Sequence, residues 1–98
     1  MEKRLRATDH AYKRAKERLR WKPKVLDKMM CKAFNEGVCH NQTKGSLNKY
    51  ITKVWFRNRI CNNIRIYGEN LYLFKNRTLI TIYKLDNKMI KHLKYVKA

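Results

Sequence analysis

The sequence predicts an α+β fold in which two N-terminal helices pack on a four-stranded antiparallel sheet and a short C-terminal helix closes the chain. Three observations lead there. Residues 62–85, NNIRIYGENLYLFKNRTLITIYKL, break into three β-rich runs separated by two-residue turns. The N-terminal third carries apolar residues at helical spacings of three and four. Tyr50–Phe56 alternates Tyr50, Thr52, Val54 and Phe56 with Ile51, Lys53 and Trp55, which adds a strand ahead of the three. A chain of 98 residues makes one domain, residues 1–98, able to bury a single core without staples.

In chain order, Met1–Ala7 is a basic leader expected to fray or coil loosely. Thr8 and Asp9 offer an N-cap for a first helix running to about Arg20, with Ala11, Tyr12, Ala15 and Leu19 as its apolar stripe. His10, Arg14, Glu17 and Arg18 share another face of that helix. Pro23 suits the first turn of a second helix, whose Val25, Leu26, Met29, Met30, Ala33 and Phe34 should cover the sheet. Gly37 ends it. Val38–Ser46 reads as loop, and Arg57–Arg59 as the turn leading from the first strand into the other three. Asp86 and Asn87 cap the closing helix, with Met89, Ile90, Leu93 and Val96 along one side.

The turns set the register. Gly68-Glu69 places Ile66 opposite Leu71 and Arg65 opposite Tyr72. Asn76-Arg77 places Phe74 opposite Leu79, Leu73 opposite Ile80, and Tyr72 opposite Thr81. Alternation then sends Ile64, Ile66, Leu71, Leu73, Ile80 and Ile82 to a core face under the helices. It leaves Arg65, Tyr67, Tyr72, Phe74, Thr81 and Tyr83 on an open face able to stack unpaired bases. Trp55 and Phe56 are expected in the core.

The charge is the strongest clue to function. The chain holds 25 Lys and Arg against 7 Asp and Glu, a formal net charge of +18. No carboxylate lies between Glu36 and Glu69, where Lys44, Lys49, Lys53, Arg57, Arg59 and Arg65 fall. Such a block seeks polyanions, and interleaved aromatics favour nucleic acid, RNA above all. An acidic protein partner or antitoxin is a further candidate to neutralise it. Membrane docking is disfavoured, since no basic, aromatic amphipathic helix stands out and no apolar run spans a bilayer. With no secretory leader in evidence, a cytoplasmic protein is expected. Cys31, Cys39 and Cys61 match no disulfide or zinc spacing, so reduced thiols, no metal and no cofactor are expected.

No nucleophile elbow, paired carboxylates or phosphate-cradling glycine loop is present. Metal-independent RNA cleavage needs none of them, because the RNA's own 2′-hydroxyl is the nucleophile. His10, in the first turn of a helix, fits the base, with Arg14 one turn on. Arg65 would clamp the phosphate, and Thr81 or Tyr83 would position it. The nucleic-acid-binding set is then Arg18, Lys44, Lys49, Lys53, Arg57, Arg59, Tyr67 and Tyr72. His40 and His92 have no comparable surroundings in sequence.

The segments HAYKRAKERLRW, TKGSLNKY, NNIRIYGENLYLF and TLITIYKL resemble small proteins of bacteria and their phages. That group in turn resembles the barnase–EndoU–colicin–RelE-like superfamily of RNase toxins. The likeness spans residues 8 to 85. It implies helices on an antiparallel four-stranded sheet, RNA as substrate, and a bacterial host cell. It implies functional positions at His10, Arg14 and Arg18 on the helix, and at Arg65, Thr81 and Tyr83 on the strands. The loop departs from the pattern, offering only Lys44 and Lys49 where further catalytic groups are usual. Two functions follow as expectations: a toxin-type endoribonuclease, and a non-catalytic phage or mobile-element protein that binds and inhibits an RNA or RNA–protein complex.

Overall fold

A computed structural model describes residues 5–91. Strand β1 (Arg6–Ala7) leads into helices α1 (Asp9–Leu19) and α2 (Pro23–Glu36). Strand β2 (Val38–Cys39) and a 3₁₀ turn (His40–Gln42) precede helix α3 (Gly45–Arg57). Then come β3 (Asn63–Tyr67), β4 (Asn70–Lys75), β5 (Thr78–Lys84) and the short α4 (Asn87–Ile90). The fold is α+β. Its sheet has five strands in the order β1-β5-β4-β3-β2, antiparallel except where β1 runs parallel to β5.

The first two helices form for the reasons the sequence offers. The Thr8 hydroxyl accepts from the Ala11 amide at 3.0 Å and caps α1. Pro23 opens α2, where its missing N–H costs nothing. Gly37 closes α2 because space is lacking there. A Cβ would collide with the Ala33 carbonyl oxygen and sit 3.1 Å from the Arg65 Cβ and the Ile66 carbonyl oxygen. Asp86 caps α4 through the Lys88 amide at 2.9 Å. His92, Leu93 and Val96 of the expected closing helix lie outside the described residues, as do residues 1–4 of the leader.

Three expectations need correction. The segment Tyr50–Phe56 is not a strand but the body of α3. A strand would split Ile51 from Val54, whereas a helix gathers Leu47, Ile51 and Val54 into one buried stripe. Thr52, a poor helix former, returns its hydroxyl to the Asn48 carbonyl at 2.8 Å within the helix. Second, the basic leader contributes an ordered strand: the Arg6 amide donates to the Arg77 carbonyl and the Thr8 amide to the Leu79 carbonyl, both at 3.0 Å.

Third, the β3–β4 hairpin keeps the expected register through Gly68, at φ +61, but the β4–β5 hairpin slips. Phe74 faces Leu79 as expected, yet Leu73 faces Thr81 and Tyr72 faces Ile82. A bulge at Ile80 supplies the extra residue. Beyond it, every β5 side chain changes face.

With α1 and α2 on one side and α3 on the other, the sheet has two buried faces. Tyr72, Phe74, Leu79 and Ile82 lie under α1 and α2 with Ala11, Ala15, Leu26, Met30 and Ala33. Ile64, Ile66, Leu71 and Leu73 lie under α3 with Leu47, Ile51 and Val54. Among the described residues no sheet face is open for bases to stack on: Tyr72 is fully buried and Thr81 nearly so.

Candidate nucleic-acid interface

Helix α3 buries one stripe and turns the opposite side outward. Lys49 and Lys53 sit on that outer side, one turn apart, and Phe56 follows at the next turn. Phe56 is 55% exposed and Ile60, just beyond the helix, is 59% exposed. The expectation that Phe56 fills core is thus corrected, and Trp55 is only half-buried. Their rings meet edge-on, with centroids 5.2 Å apart and planes at 64°. The indole is anchored by its Nε1–H donating to the Cys61 carbonyl at 3.0 Å. The Arg59 guanidinium lies 5.0 Å from the Phe56 centroid and 5.8 Å from that of Trp55. A cation is therefore held beside two rings before any ligand arrives.

Lys44 at the start of α3 and Arg57 at its end extend this surface, and both are exposed. Among the described residues no carboxylate pairs with these cations. Among the described residues, the ion pair within 4 Å is Arg14–Glu17 at 3.4 Å, on a different helix.

A polar cleft of about 510 Å³ opens beside α3, between it and the β2–β3 end of the sheet. Its walls include His40, Asn48, Thr52, Asn62 and Asn63, and it continues along His40 and Asn62 to Trp55. Thr52 Oγ1 lies 3.0 Å from His40 Nε2 and spends its own proton on Asn48. The hydroxyl can therefore only accept from the ring, which puts a proton on Nε2 and leaves the lone pair of the neutral imidazole on Nδ1. Asn48 in turn donates to Thr43 Oγ1 at 3.1 Å and to the His40 carbonyl at 3.3 Å, tying the 3₁₀ turn to α3. His40 has a constellation after all. Its partners Asn48 and Thr52 come together only because this segment is helical.

The residues expected to cleave RNA do not converge. His10 is exposed in the first turn of α1 and accepts from Arg14 Nε at 3.3 Å, so this pair does form. Arg18 crosses the open edge of β5, donating to the Ile82 carbonyl at 2.8 Å and lying 4.2 Å from the Tyr83 ring centroid. It shields a strand edge that β1 is too short to cover. Tyr83 is half-buried against the α3 core, with Asn58 Nδ2 3.5 Å from its hydroxyl.

Arg65 is elsewhere. It points to the α2 side of β3, 2.9 Å from Asn63 Oδ1 and 5.7 Å from the Phe34 ring, which Arg77 also approaches at 5.0 Å. Two strand spacings, roughly 10 Å, separate it from β5. Thr81 is buried on the α3 face, and its hydroxyl has no hydrogen-bond partner. Tyr72 is sealed on the other face, its hydroxyl beside the Asn70 side chain but without a well-formed hydrogen bond. Burial pushes its phenol well above the ordinary tyrosine range. Tyr67 is half-buried at the rim of the α1–α2 core. Of the sequence-predicted binding residues, Lys44, Lys49, Lys53, Arg57 and Arg59 share one element and its ends.

Among the described residues no three His, Cys, Asp or Glu side chains stand together to hold a metal. No described helix is long and apolar enough to cross a membrane. Cys31 is exposed, Cys39 half-buried and Cys61 buried, and burial raises the Cys61 thiol above its ordinary value. No family model, curated protein or solved structure matches the chain.

Proposed function

We propose that the protein binds single-stranded RNA through the outer side of α3 and the turn after it, without cleaving it. One observation carries this reading: the exposed Phe56 ring, with Arg59 held beside it, shares α3 and its end with the exposed Lys49, Lys53 and Arg57, on an element with no carboxylate. Phosphates would meet the cations, and an unpaired base would stack on Phe56. The polar cleft along His40, Asn62 and Asn63 would take the edge of a neighbouring base. The resemblance to toxin-like proteins of bacteria and phages suggests the setting, a small protein that occupies an RNA or RNA–protein complex and blocks it.

A second reading, metal-independent endoribonuclease cleavage, draws on the His10–Arg14 hydrogen bond, which presents an imidazole beside a guanidinium on an exposed face. Binding is the better supported, because Arg65 and Thr81 do not share that face.

Fluorescence anisotropy with a short labelled RNA tests the binding reading. Contacts from Lys44, Lys49, Lys53, Arg57 and Arg59 predict that log K falls with log salt at a slope of roughly −3 to −4. Lys53→Ala with Arg59→Ala should flatten that slope by about 1.4. Phe56→Ala should cost about 1–3 kcal/mol of binding with little change in slope. Incubation with RNA in EDTA should leave it shifted and uncut. New 2′,3′-cyclic phosphate ends that vanish in His10→Ala would establish the enzyme instead.

A further inference from the structure

A second surface has the same chemistry on the other side of the molecule. Where α1 gives way to α2, the chain turns through Arg20, held in the left-handed region at φ 57, and Trp21. The corner encloses a cavity of about 750 Å³. Its apolar walls are Tyr12, Trp21 and Pro23. Its rim is cationic, formed by Lys13, Lys16, Arg20 and Lys22, all exposed. Tyr12 donates its hydroxyl proton to Asp27, which holds the ring in place. An apolar slot with an indole wall and a ring of cations fits a flat, anionic occupant, so an unpaired nucleotide suits it better than an apolar partner.

The slot belongs to the helix layer opposite α3, with the sheet between them. We propose that the Tyr12–Trp21–Pro23 slot is a second single-stranded RNA site, and that one chain holds two separate RNA segments, one on each side of its sheet. This rests on the α3 reading for the first segment.

Calorimetric titration with hexauridylate reads the stoichiometry. The native chain should take two per molecule. Lys16→Ala with Arg20→Ala, both exposed and outside the core, should weaken the second site about tenfold and leave the first within twofold. Lys53→Ala with Phe56→Ala and Arg59→Ala should remove the other site alone. Trp21 and Trp55 are the only tryptophans, so in Trp55→Phe the remaining fluorescence reports Trp21. It should be quenched as the slot fills.

One hexauridylate per chain, lost in the α3 variant and indifferent to the slot variant, would overturn the two-segment proposal while the α3 reading stands. One per chain, lost only in the slot variant, would overturn the α3 reading and the two-segment arrangement and keep the slot as a site. Two per chain with Trp21 unquenched would overturn the slot as the second site.

Discussion

The two faces of the sheet are closed differently. The α1–α2 face buries two aromatic rings, Tyr72 and Phe74, and needs two helices to cover them. Phe34 meets Phe74 edge-on at 5.2 Å, and the guanidiniums of Arg65 and Arg77 gather over Phe34 at the rim. The buried side chains of the α3 face are almost wholly aliphatic, and α3 covers them with help from Met89 and Ile90 of the short α4. Among the described residues α3 shares its layer with the one-turn α4 alone, so the side it turns away from the sheet is free to carry Lys49, Lys53 and Phe56. In the paired layer, α1 and α2 lean on each other through Tyr12 and Asp27, and the exposed chemistry collects at their corner instead.

Core truncations should separate the faces most sharply. Phe74→Ala empties the centre of the α1–α2 face and should cost about 4 kcal/mol, read from urea unfolding. Ile51→Ala should cost about 3 kcal/mol on the same measurement. The functional consequences should reverse that order. In conditions where both variants remain folded, Ile51→Ala should weaken RNA binding more, because it loosens the seat of α3. Equal loss of binding in the two, measured with the α1–α2 slot disabled by Lys16→Ala and Arg20→Ala, would mean that α3 is not the RNA-bearing element.

The same contrast explains which parts of the molecule could be read from its residues. The paired helices were legible because their ends carry unambiguous chemistry in Thr8, Pro23 and Gly37. Both hairpin turns were legible too. Helix α3 was not, because Ile51, Thr52 and Val54 have strand propensities and alternate with polar neighbours. Only the Leu47–Ile51–Val54 spacing argued for a helix, and it wins once the sheet offers a face to bury against. The bulge at Ile80 left no mark, since TLITIYK contains no glycine or proline to announce it. That slip moved Thr81 and Tyr83 to the α3 face, while α1 and α2 cover Tyr72 and Phe74, and the two together remove the expected base-stacking surface. The cationic block between Lys44 and Arg59 survived because charge density does not depend on register.

Each face also buries one hydroxyl without a partner, Tyr72 on the α1–α2 side and Thr81 on the α3 side. An unpaired buried hydroxyl forgoes its hydrogen bonds to water with nothing in return. Tyr72→Phe and Thr81→Val should therefore each be neutral or stabilising by up to about 1 kcal/mol, read as a raised urea midpoint at unchanged slope. Loss of stability in both would mean that water or an unseen donor satisfies them. Loss in Thr81→Val alone would locate such a donor on the α3 side.

The smallest effect tests whether the helix pair is locked at its corner. The hydrogen bond to Asp27, with burial and the nearby carboxylate charges of Asp27 and Asp9, pushes the Tyr12 phenol up to about 12. Its value in the unfolded chain is about 10. A folded-state value above the unfolded one means that the protonated phenol stabilises the fold fully below pH 10, and that this is lost as pH rises through 12. Asp27→Asn should return Tyr12 to roughly 10, seen as one more tyrosine ionising early in an ultraviolet titration. It should also cost about 1 kcal/mol at neutral pH, with the difference from the native chain shrinking at strongly alkaline pH. Because Tyr12 walls the slot at the α1–α2 corner, Tyr12→Ala should weaken RNA there and leave the α3 surface untouched. A change at α3 as well would show that the two helix layers communicate through the sheet.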